Sequence, residues 1–133
     1  MAARQKDIEL ILLRQWASYL AMPIWIMGED GSLLYYNEPA EAILGLRFDE
    51  SGEMPLAELS RIFETRTADD APVAAEDLPI GVALIQRRPA HRRIRVRALD
   101  GQWRTIDITA FPIEGQSGRH LGAMAIFWEA NDG

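Results

Sequence analysis

The residues best suited to chemistry are concentrated between Arg87 and Phe111, a segment that holds seven arginines and one histidine. Arginine clusters bind phosphates and carboxylates, so this segment could contact a nucleic acid, hold an anionic ligand or form the outward face of a β-hairpin. The chain as a whole is acidic, with a formal net charge of −6. Residues 1–86 carry 6 basic and 15 acidic side chains, whereas residues 87–133 carry 8 and 5. This split favours charge complementarity within the protein over binding of an external polyanion.

The arginines occur in a pattern that is typical of a half-buried strand. Between Arg93 and Arg97 they alternate with Ile94 and Val96. Because successive side chains of a strand point to opposite faces, the arginines share one face and the two aliphatic residues share the other.

The strand that follows alternates in the same way and places Ile106 and Ile108 on its apolar face. Matching the two apolar faces requires a loop with an odd number of residues, because a slip of one residue turns every side chain to the other face. This register predicts Asp107 on the arginine face, opposite Arg93 or Arg95. An exposed pair of this kind contributes about 0–1 kcal/mol. The sequence therefore indicates a solvated or partner-facing sheet surface and argues against nucleic-acid binding.

Few residues are suited to metal binding or catalysis. The two histidines, His91 and His120, lie far apart in the sequence and do not form a set of metal ligands. The chain has no cysteine, which excludes disulfide bonds, thiolate catalysis and zinc fingers. Neither a nucleophile-elbow motif nor a phosphate-binding glycine loop occurs. We therefore expect a protein that is not an enzyme and holds no metal ion.

An amphipathic helix is predicted near the N-terminus. Ile8, Ile11, Leu12 and Trp16 recur at helical spacing and form a broad apolar face. The helix should end shortly before Pro23, because proline disfavours helical geometry at the residue that precedes it.

A β-hairpin and a capped helix should follow. Residues 24–27 and 33–36 are rich in strand-forming side chains and flank the turn sequence EDGS. Asn37 is placed as the N-cap of a helix that Gly45 ends. The alternative is that Asn37 orients a ligand at the mouth of a pocket.

The rest of the chain is predicted as an irregular acidic stretch, one helix and three strands. Residues 47–77 should be mostly loop, with a short helix in the sequence PLAELSRIF. The next helix is expected at 78–88, and the strands at 91–99, 103–113 and 121–128. Since the last strand is almost wholly apolar, it should be covered on both faces and lie centrally in the sheet.

Several glycines and turn residues occur in an order that resembles one known family. They lie around the first hairpin and helix, in the later hairpin turn and near the last two strands: Gly31, Asn37, Ala40, Leu44, Gly45, Asp100, Gly101, Pro112, Gly118 and Gly122. Over residues 22–129 the chain resembles the PAS domains, which are sensory and interaction modules. The resemblance implies an α+β fold, with a five-stranded antiparallel sheet in the order 2-1-5-4-3 and short helices on one face. Residues 1–21 would then be an N-terminal amphipathic dimerisation helix and residues 130–133 a C-terminal tail.

The resemblance also bears on ligands, because PAS domains bind haem, flavins, small acids or fatty acids, or simply dimerise and relay a signal. A haem ligand would lie on the long helix before the third strand, where this chain has no histidine and only His91 lies just beyond. The cysteinyl-flavin chemistry of the photoactive members is excluded by the lack of cysteine. We therefore expect either a small apolar or amphipathic ligand between sheet and helices, or a filled core there. The candidate pocket residues are Asn37, Ile80, Ala83, Leu84, Ile94, Val96, Ile106 and Ile108.

The predicted N-terminal helix has a large apolar surface that needs a partner. If Trp25, Met27, Phe111 and Phe127 lie on the sheet face away from the small helices, this helix or that of a second copy should cover them. An isologous homodimer follows as a hypothesis. The candidate interface residues are Ile8, Ile11, Leu12, Trp16, Trp25, Met27 and Phe111.

These observations predict a cytoplasmic, dimeric signalling module that senses a small ligand or relays a signal to a protein partner. The alternative is a pure dimerisation or docking module with a filled core and no ligand.

The longest uncharged apolar run, from Trp16 to Met27, is much shorter than the roughly 20 residues that a membrane span needs. All basic residues except Lys6 are arginine, a bias that indicates a GC-rich bacterial genome. If Gly133 is the natural end, the output must be another protein.

Overall fold

The computed structural model describes residues 8–45, 54, 63–97 and 101–130. The helices and strands are, in chain order, α1 (Ile8–Ala17), β1 (Ile24–Gly28), β2 (Leu33–Tyr36), α2 (Glu38–Leu44), β3 (Glu64–Arg66), α3 (Pro79–Ile85), β4 (Ala90–Arg97), β5 (Trp103–Glu114) and β6 (His120–Glu129). Single 3-10 turns at Ala75–Asp77 and Gln116–Gly118 precede α3 and β6. The helix predicted in PLAELSRIF falls outside the described residues, apart from Phe63. Within the described ranges no helix is long and apolar enough to cross a membrane.

The strands form one antiparallel sheet in the order β2-β1-β6-β5-β4-β3. The predicted α+β fold and strand order are confirmed, and β6 lies centrally between β1 and β5, as its two-sided hydrophobicity indicated. The sheet has one strand more than expected, because β3 pairs with the edge of β4. With three residues, β3 is too short to show the alternation by which a strand is recognised.

The register of β4 and β5 matches the prediction from their alternation. Arg97 pairs with Trp103 across a connection of five residues, an odd number, and Arg93 lies opposite Asp107. Ile94 therefore faces the same side of the sheet as its partner Ile106, and both are buried in the same cluster. The alternating positions of the apolar residues in the two strands determine this pairing, since a shift of one residue would turn one of the two isoleucines away from the buried face.

The two faces of the sheet are covered by different helices. On one side, here called the inner face, Ile94 and Ile106 share a buried cluster with Ala40 and Leu44 of α2. Ile80 and other residues of α3 pack against the same cluster. On the opposite side, the outer face, the buried cluster joins residues of α1 to the sheet; its members are Leu10, Ala17, Ile24, Ile26, Ile113, Leu121 and Met124.

The expected orientation of β1 was wrong. Trp25 and Met27 point to the inner face, as does Phe127 of β6, whereas Ile24 and Ile26 lie under α1. Both faces of β1 are apolar, so alternation alone could not indicate which set meets which helix. Phe111 does lie on the outer face, where it pairs with Met124 and stays 37% exposed.

The N-terminal helix is shorter than its apolar pattern suggested, because α1 ends at Ala17. The chain then tightens into i to i−3 hydrogen bonds, in which the amide of Tyr19 donates to Trp16 O and that of Leu20 to Ala17 O. The helix is held to β2 by the guanidinium of Arg14, which lies 4.7 Å from the centroid of the Tyr35 ring. Burial raises the pKa of Tyr35, although the charge of Arg14 acts in the opposite direction.

Candidate functional site

The inner face and the helices above it line a partly open cavity of about 380 Å³. Its lining comes from every strand of the sheet except β2, from α2 and α3, and from the segment around β3. The lining residues are Trp25, Met27, Leu44, Phe63, Glu64, Thr65, Pro72, Val73, Ala74, Leu78, Ile80, Ile94, Val96, Ile106, Ile108, Ala125 and Phe127. Among these side chains only Glu64 carries a charge, so the cavity is a predominantly apolar site.

Most of the pocket residues proposed from the sequence lie together at this cavity. Ile80, Ile94, Val96, Ile106 and Ile108 all line it. The first comes from α3 and the others from the inner faces of β4 and β5, so alternation and helical spacing were sufficient to bring them together.

Two other proposed residues, Ala83 and Leu84, pack beside the cavity instead. Ala83 is fully buried in a cluster with Ala110, Ala123 and Ala125, and Leu84 packs against that cluster. Small side chains let α3 approach β5 and β6 closely there, which closes the space on that side.

The eighth proposed residue, Asn37, does not line the cavity but joins the elements around it. Its side chain is buried, and its Oδ1 accepts hydrogen bonds from the amides of Ile24 and Ala40, at 2.9 and 3.3 Å. Its Nδ2 donates to Ala17 O and Met22 O, at 3.0 and 2.9 Å. The predicted N-cap of α2 is therefore confirmed, and the same amide also binds the end of α1 and the start of β1.

The aromatic part of the lining could not be found by sequence reasoning. Trp25 stacks on Tyr36, with ring centroids 5.6 Å apart and an interplanar angle of 15°. Phe63 meets Trp25 edge-on, with centroids 6.2 Å apart. The Nε1 atom of Trp25 is buried and has no hydrogen-bond partner among the described residues. The apolar spacing of β1 marked Trp25 as buried on one side, but the partner Phe63 lies in a stretch without periodicity.

One wall of the cavity is a small hairpin at the sheet edge, made of residues 64–73 and here called the edge hairpin. Its two sides are joined by the amide of Thr67, which donates to Ala71 O at 2.8 Å, and by that of Val73, which donates to Thr65 O at 3.2 Å. The hydroxyl of Thr65 donates to Val73 O. The Thr65 hydroxyl, the one hydroxyl among the described lining side chains, is thus engaged within the hairpin.

Ion pairs on the outer face attach the edge hairpin to β4. Arg95 contacts Asp70 at 3.0 Å, and Arg97 contacts Glu64 at 3.8 Å. Within the hairpin, Arg66 also contacts Glu64, at 2.8 Å. The acidic side chains belong to the first part of the chain and the β4 arginines to the second. The complementarity expected from the charge split is therefore present in these pairs.

A second polar group on the outer face is centred on Asp107. Nε and Nη2 of Arg93 donate to its two carboxylate oxygens at 3.1 and 3.0 Å, a bidentate pair. His91 Nε2 lies 3.7 Å from the same carboxylate. The hydrogen bond from Arg93, assisted by the charges of Arg93 and His91, lowers the pKa of Asp107 below its ordinary value. These contacts make the arginine face a set of internal pairs.

The residues at the cavity do not fit a haem iron or a cysteinyl flavin. His91 lies on the outer face beside Asp107, and His120 is not part of the cavity lining, so no described imidazole faces the cavity. The chain has no cysteine. Within the described ranges, no three histidine or acidic side chains are grouped as metal ligands would be.

Comparisons with known proteins identify the architecture. No family model matches the chain, and no curated protein matches it. Among solved structures, the chain is similar to the PAS domain of a protein from Colwellia psychrerythraea, with a TM-score of 0.65 and 19% identity over 93% of this chain and 98% of that one. The PAS domain of nitrogen regulation protein NR(II) from Vibrio parahaemolyticus gives a TM-score of 0.63 and 16% identity, over 90% and 98% of the two chains. The LOV protein of Rhodobacter sphaeroides gives 0.71 and 10% identity, over 95% and 70%. The chain therefore has the PAS fold.

Proposed function

We propose that this protein is a non-enzymatic signalling module that binds a small, neutral, mainly apolar molecule in the inner-face cavity. In the proposal, binding alters the packing of α1, and a homodimer of the module passes the change to a protein partner in the bacterial cytoplasm. The observation that carries the proposal is the apolar cavity of about 380 Å³ within a PAS fold.

The size of the cavity supports a small ligand. Ligand pockets usually measure roughly 300–1,000 Å³. An apolar cavity of about 150 Å³ accommodates a benzene ring. The space between sheet and helices therefore has room for a molecule of two or three rings, or for an aliphatic chain of similar volume.

The electrostatics of the lining support a neutral ligand. Glu64 is the one charged side chain among the described lining residues, and its carboxylate pairs with Arg66 and Arg97 on the outer face. A buried charge without a partner is strongly unfavourable. A carboxylate or phosphate ligand would have no counter-ion among the described lining residues, which argues against the small acids that PAS domains bind.

A route for the signal is provided by α2 and Asn37. Leu44 of α2 lines the cavity, while Asn37, at the start of the same helix, binds Ala17 O at the end of α1. A ligand that shifts α2 would therefore change the support of α1. Such a ligand acts by binding one arrangement of the helices better than the other.

The homodimer is supported by the apolar surface of α1. Ile8, Leu12 and Trp16 are 67%, 55% and 53% exposed, and Ile11 is also exposed. Phe111 adds an exposed ring on the outer face. Trp25 and Met27, which face the cavity, have no place in this interface. A patch of this composition on an isolated chain favours association with a second copy.

A docking module without a ligand is the second candidate, and the exposed face of α1 favours it. The two candidates differ in whether the cavity is used. The docking module was expected to have a filled core, whereas the ligand-binding candidate is supported by the partly open space of about 380 Å³ between sheet and helices.

Native mass spectrometry of the freshly purified protein tests the proposal. We expect a dimer with additional non-covalent mass, and we expect that mass to be lost in Val96→Trp, which fills the cavity. Ile85→Trp, at an exposed site on α3, is the matched control and should retain it. A dimer that has no additional mass and takes up no apolar compound would favour the docking module. A monomer without additional mass would contradict the proposed association through α1.

A further inference from the structure

We propose that the ligand carries a neutral hydrogen-bond acceptor on an aromatic ring system, and that this acceptor binds the indole N–H of Trp25. The inference rests on the proposed function, because it assigns the chemistry of the molecule that occupies the same cavity. Trp25 is central to it, since this side chain lies in the lining and also carries the polar atom that lacks a partner.

The surroundings of Trp25 favour a flat, aromatic molecule. The ring of Tyr36 stacks on Trp25 and the ring of Phe63 meets it edge-on, both within the 4.5–7 Å range of favourable aromatic pairs. Phe127 supplies a further aromatic ring to the same lining. Planar faces and edges of this kind give an aromatic ligand more favourable contacts than an aliphatic one of equal volume.

The unpaired indole nitrogen adds a polar requirement to this apolar site. A buried tryptophan N–H normally has an acceptor, because a buried donor without a partner is unfavourable. Trp25 Nε1 has none among the described residues, and no other lining side chain among them presents an unpaired buried donor. A single acceptor on the ligand would therefore satisfy the site.

The acceptor can reach the nitrogen if the lining moves, since Nε1 has no contact with solvent in the present arrangement. We expect the edge hairpin to be the wall that moves. Phe63, which contacts Trp25, directly precedes it, and its attachment to β4 relies on three residue pairs and surface ion pairs. Exposed ion pairs contribute little stability, so this attachment of the edge hairpin to β4 is weak.

The charge of the acceptor also follows from the lining. No described arginine, lysine or histidine faces the cavity, so a carboxylate would be buried without a counter-ion among the described lining residues. A ring nitrogen, carbonyl or ether oxygen accepts the same hydrogen bond without that penalty. The ligand class is therefore a neutral, two- or three-ring heteroaromatic or aromatic carbonyl compound.

The test compares naphthalene, quinoline and isoquinoline as probes of the protein in mildly alkaline buffer, where all three are neutral. They have nearly the same shape, but only the last two carry a ring nitrogen, at different positions. We expect naphthalene to bind and one of the nitrogen-containing probes to bind roughly 3- to 10-fold more tightly. That probe should also shift the indole N–H resonance of Trp25 downfield, whereas naphthalene should not.

Two variants isolate the role of the N–H group. Trp25→Phe keeps an aromatic ring and removes the donor, so naphthalene and the preferred probe should bind it with similar affinity. Trp128→Phe removes a half-exposed ring on the outer face and should retain the preference. If Trp25→Phe does not fold, single Phe variants of Trp16, Trp103 and Trp128 identify the Trp25 resonance by elimination. The shift of the Trp25 N–H resonance and the ratio of probe affinities, both measured on the wild type, then decide whether the acceptor binds Trp25.

The outcomes separate this inference from the proposed function. If naphthalene binds and neither nitrogen-containing probe is preferred, the inference is wrong and the ligand cavity stands. The same holds if the preference persists in Trp25→Phe. If none of the three probes binds but the purified protein carries or takes up an aliphatic compound, the inference is wrong and the ligand cavity stands. If no apolar compound of either kind binds, both the inference and the proposed function are wrong.

Discussion

At the scale of single residues, Asn37 has the most extensive set of contacts. Its amide donates two hydrogen bonds and accepts two, so each of its hydrogen-bonding positions is used although the side chain is buried. The partners belong to α1, to the connection that follows it, to β1 and to α2. A side chain needed only as an N-cap would use the acceptor alone.

Asn37→Ala should lower the free energy of unfolding by about 2–4 kcal/mol, because it leaves buried backbone groups without partners. Asn37→Asp keeps the acceptor for Ile24 and Ala40 but places a carboxylate oxygen against Ala17 O and Met22 O. We expect it to increase amide hydrogen exchange in α1 more than in α2. A loss below about 1 kcal/mol for Asn37→Ala, measured by urea unfolding, would show that α1 does not depend on this amide.

Asp107 should make the stability depend on pH in acid. Its pKa is lowered in the folded protein by the hydrogen bond and charge of Arg93 and by His91. A lowered folded pKa means that the stabilisation is complete above the ordinary carboxyl pKa and is lost as the pH falls through the folded value. In urea unfolding from about pH 6 to about pH 2, Asp107→Asn should therefore lose less stability than the wild type.

Asp69→Asn, at an exposed position in the turn of the edge hairpin, is the control for this comparison. It should follow the wild-type acid dependence. If Asp107→Asn does the same, the pair with Arg93 does not contribute to acid unfolding.

At the scale of elements, the pairing of β1 with β6 depends on Gly122. This residue lies opposite Gly28 and has a φ of 151°. A Cβ atom at this position would collide with the carbonyl oxygen of Met27 and lie 3.1 Å from the Cα of Gly28. Strands β1 and β6 can therefore approach each other only with glycine at this position.

Gly122→Ala should lower the free energy of unfolding by about 3 kcal/mol, from the unfavourable φ and the collision with a rigid backbone. Gly118→Ala is the matched control, because its φ of 70° is also positive but a Cβ there meets no atom within 4 Å. We expect the control to lose about 1 kcal/mol. Equal losses in chemical denaturation would mean that the strands can separate to accommodate a methyl group.

At the scale of the whole molecule, the two faces of the sheet are suited to different tasks. The inner face lines the cavity, and the outer face carries α1 on one half and paired charges on the other. Asn37 and α2 connect the two sides. In the proposed function, a ligand on one face would therefore influence association on the other without touching the interface.

The proposed dimer predicts that Leu12→Glu weakens self-association by roughly 30-fold or more, or about 2 kcal/mol. The reason is that a charge would be buried in the centre of the apolar face of α1. Ile85→Glu introduces the same charge on the opposite side of the protein, where Ile85 is 64% exposed, and should leave the dimer intact. Analytical ultracentrifugation over a range of concentrations measures both. A wild type that remains monomeric throughout would contradict the proposed interface.

The sequence by itself determined the features that depend on neighbours along the chain. The alternation of Ile94 and Val96 with arginines, and the odd loop after them, specified the register that pairs Arg93 with Asp107. The unbroken apolar run of β6 specified its central position. These signals are local, because the side-chain period of a strand and the burial of one face are enough to define them.

Only the tertiary structure decided which side of β1 faces the cavity, which side faces α1, and whether the space under α2 and α3 is filled. Trp25 and Ile24 are both apolar, so their orientation follows from the pairing of β1 with β6 and from the position of α1. Phe63 reaches Trp25 from a stretch with no periodicity. The volume of the cavity depends on how far apart α2, α3 and the sheet settle when all their side chains pack together. That distance is a property of contacts between residues remote in the chain.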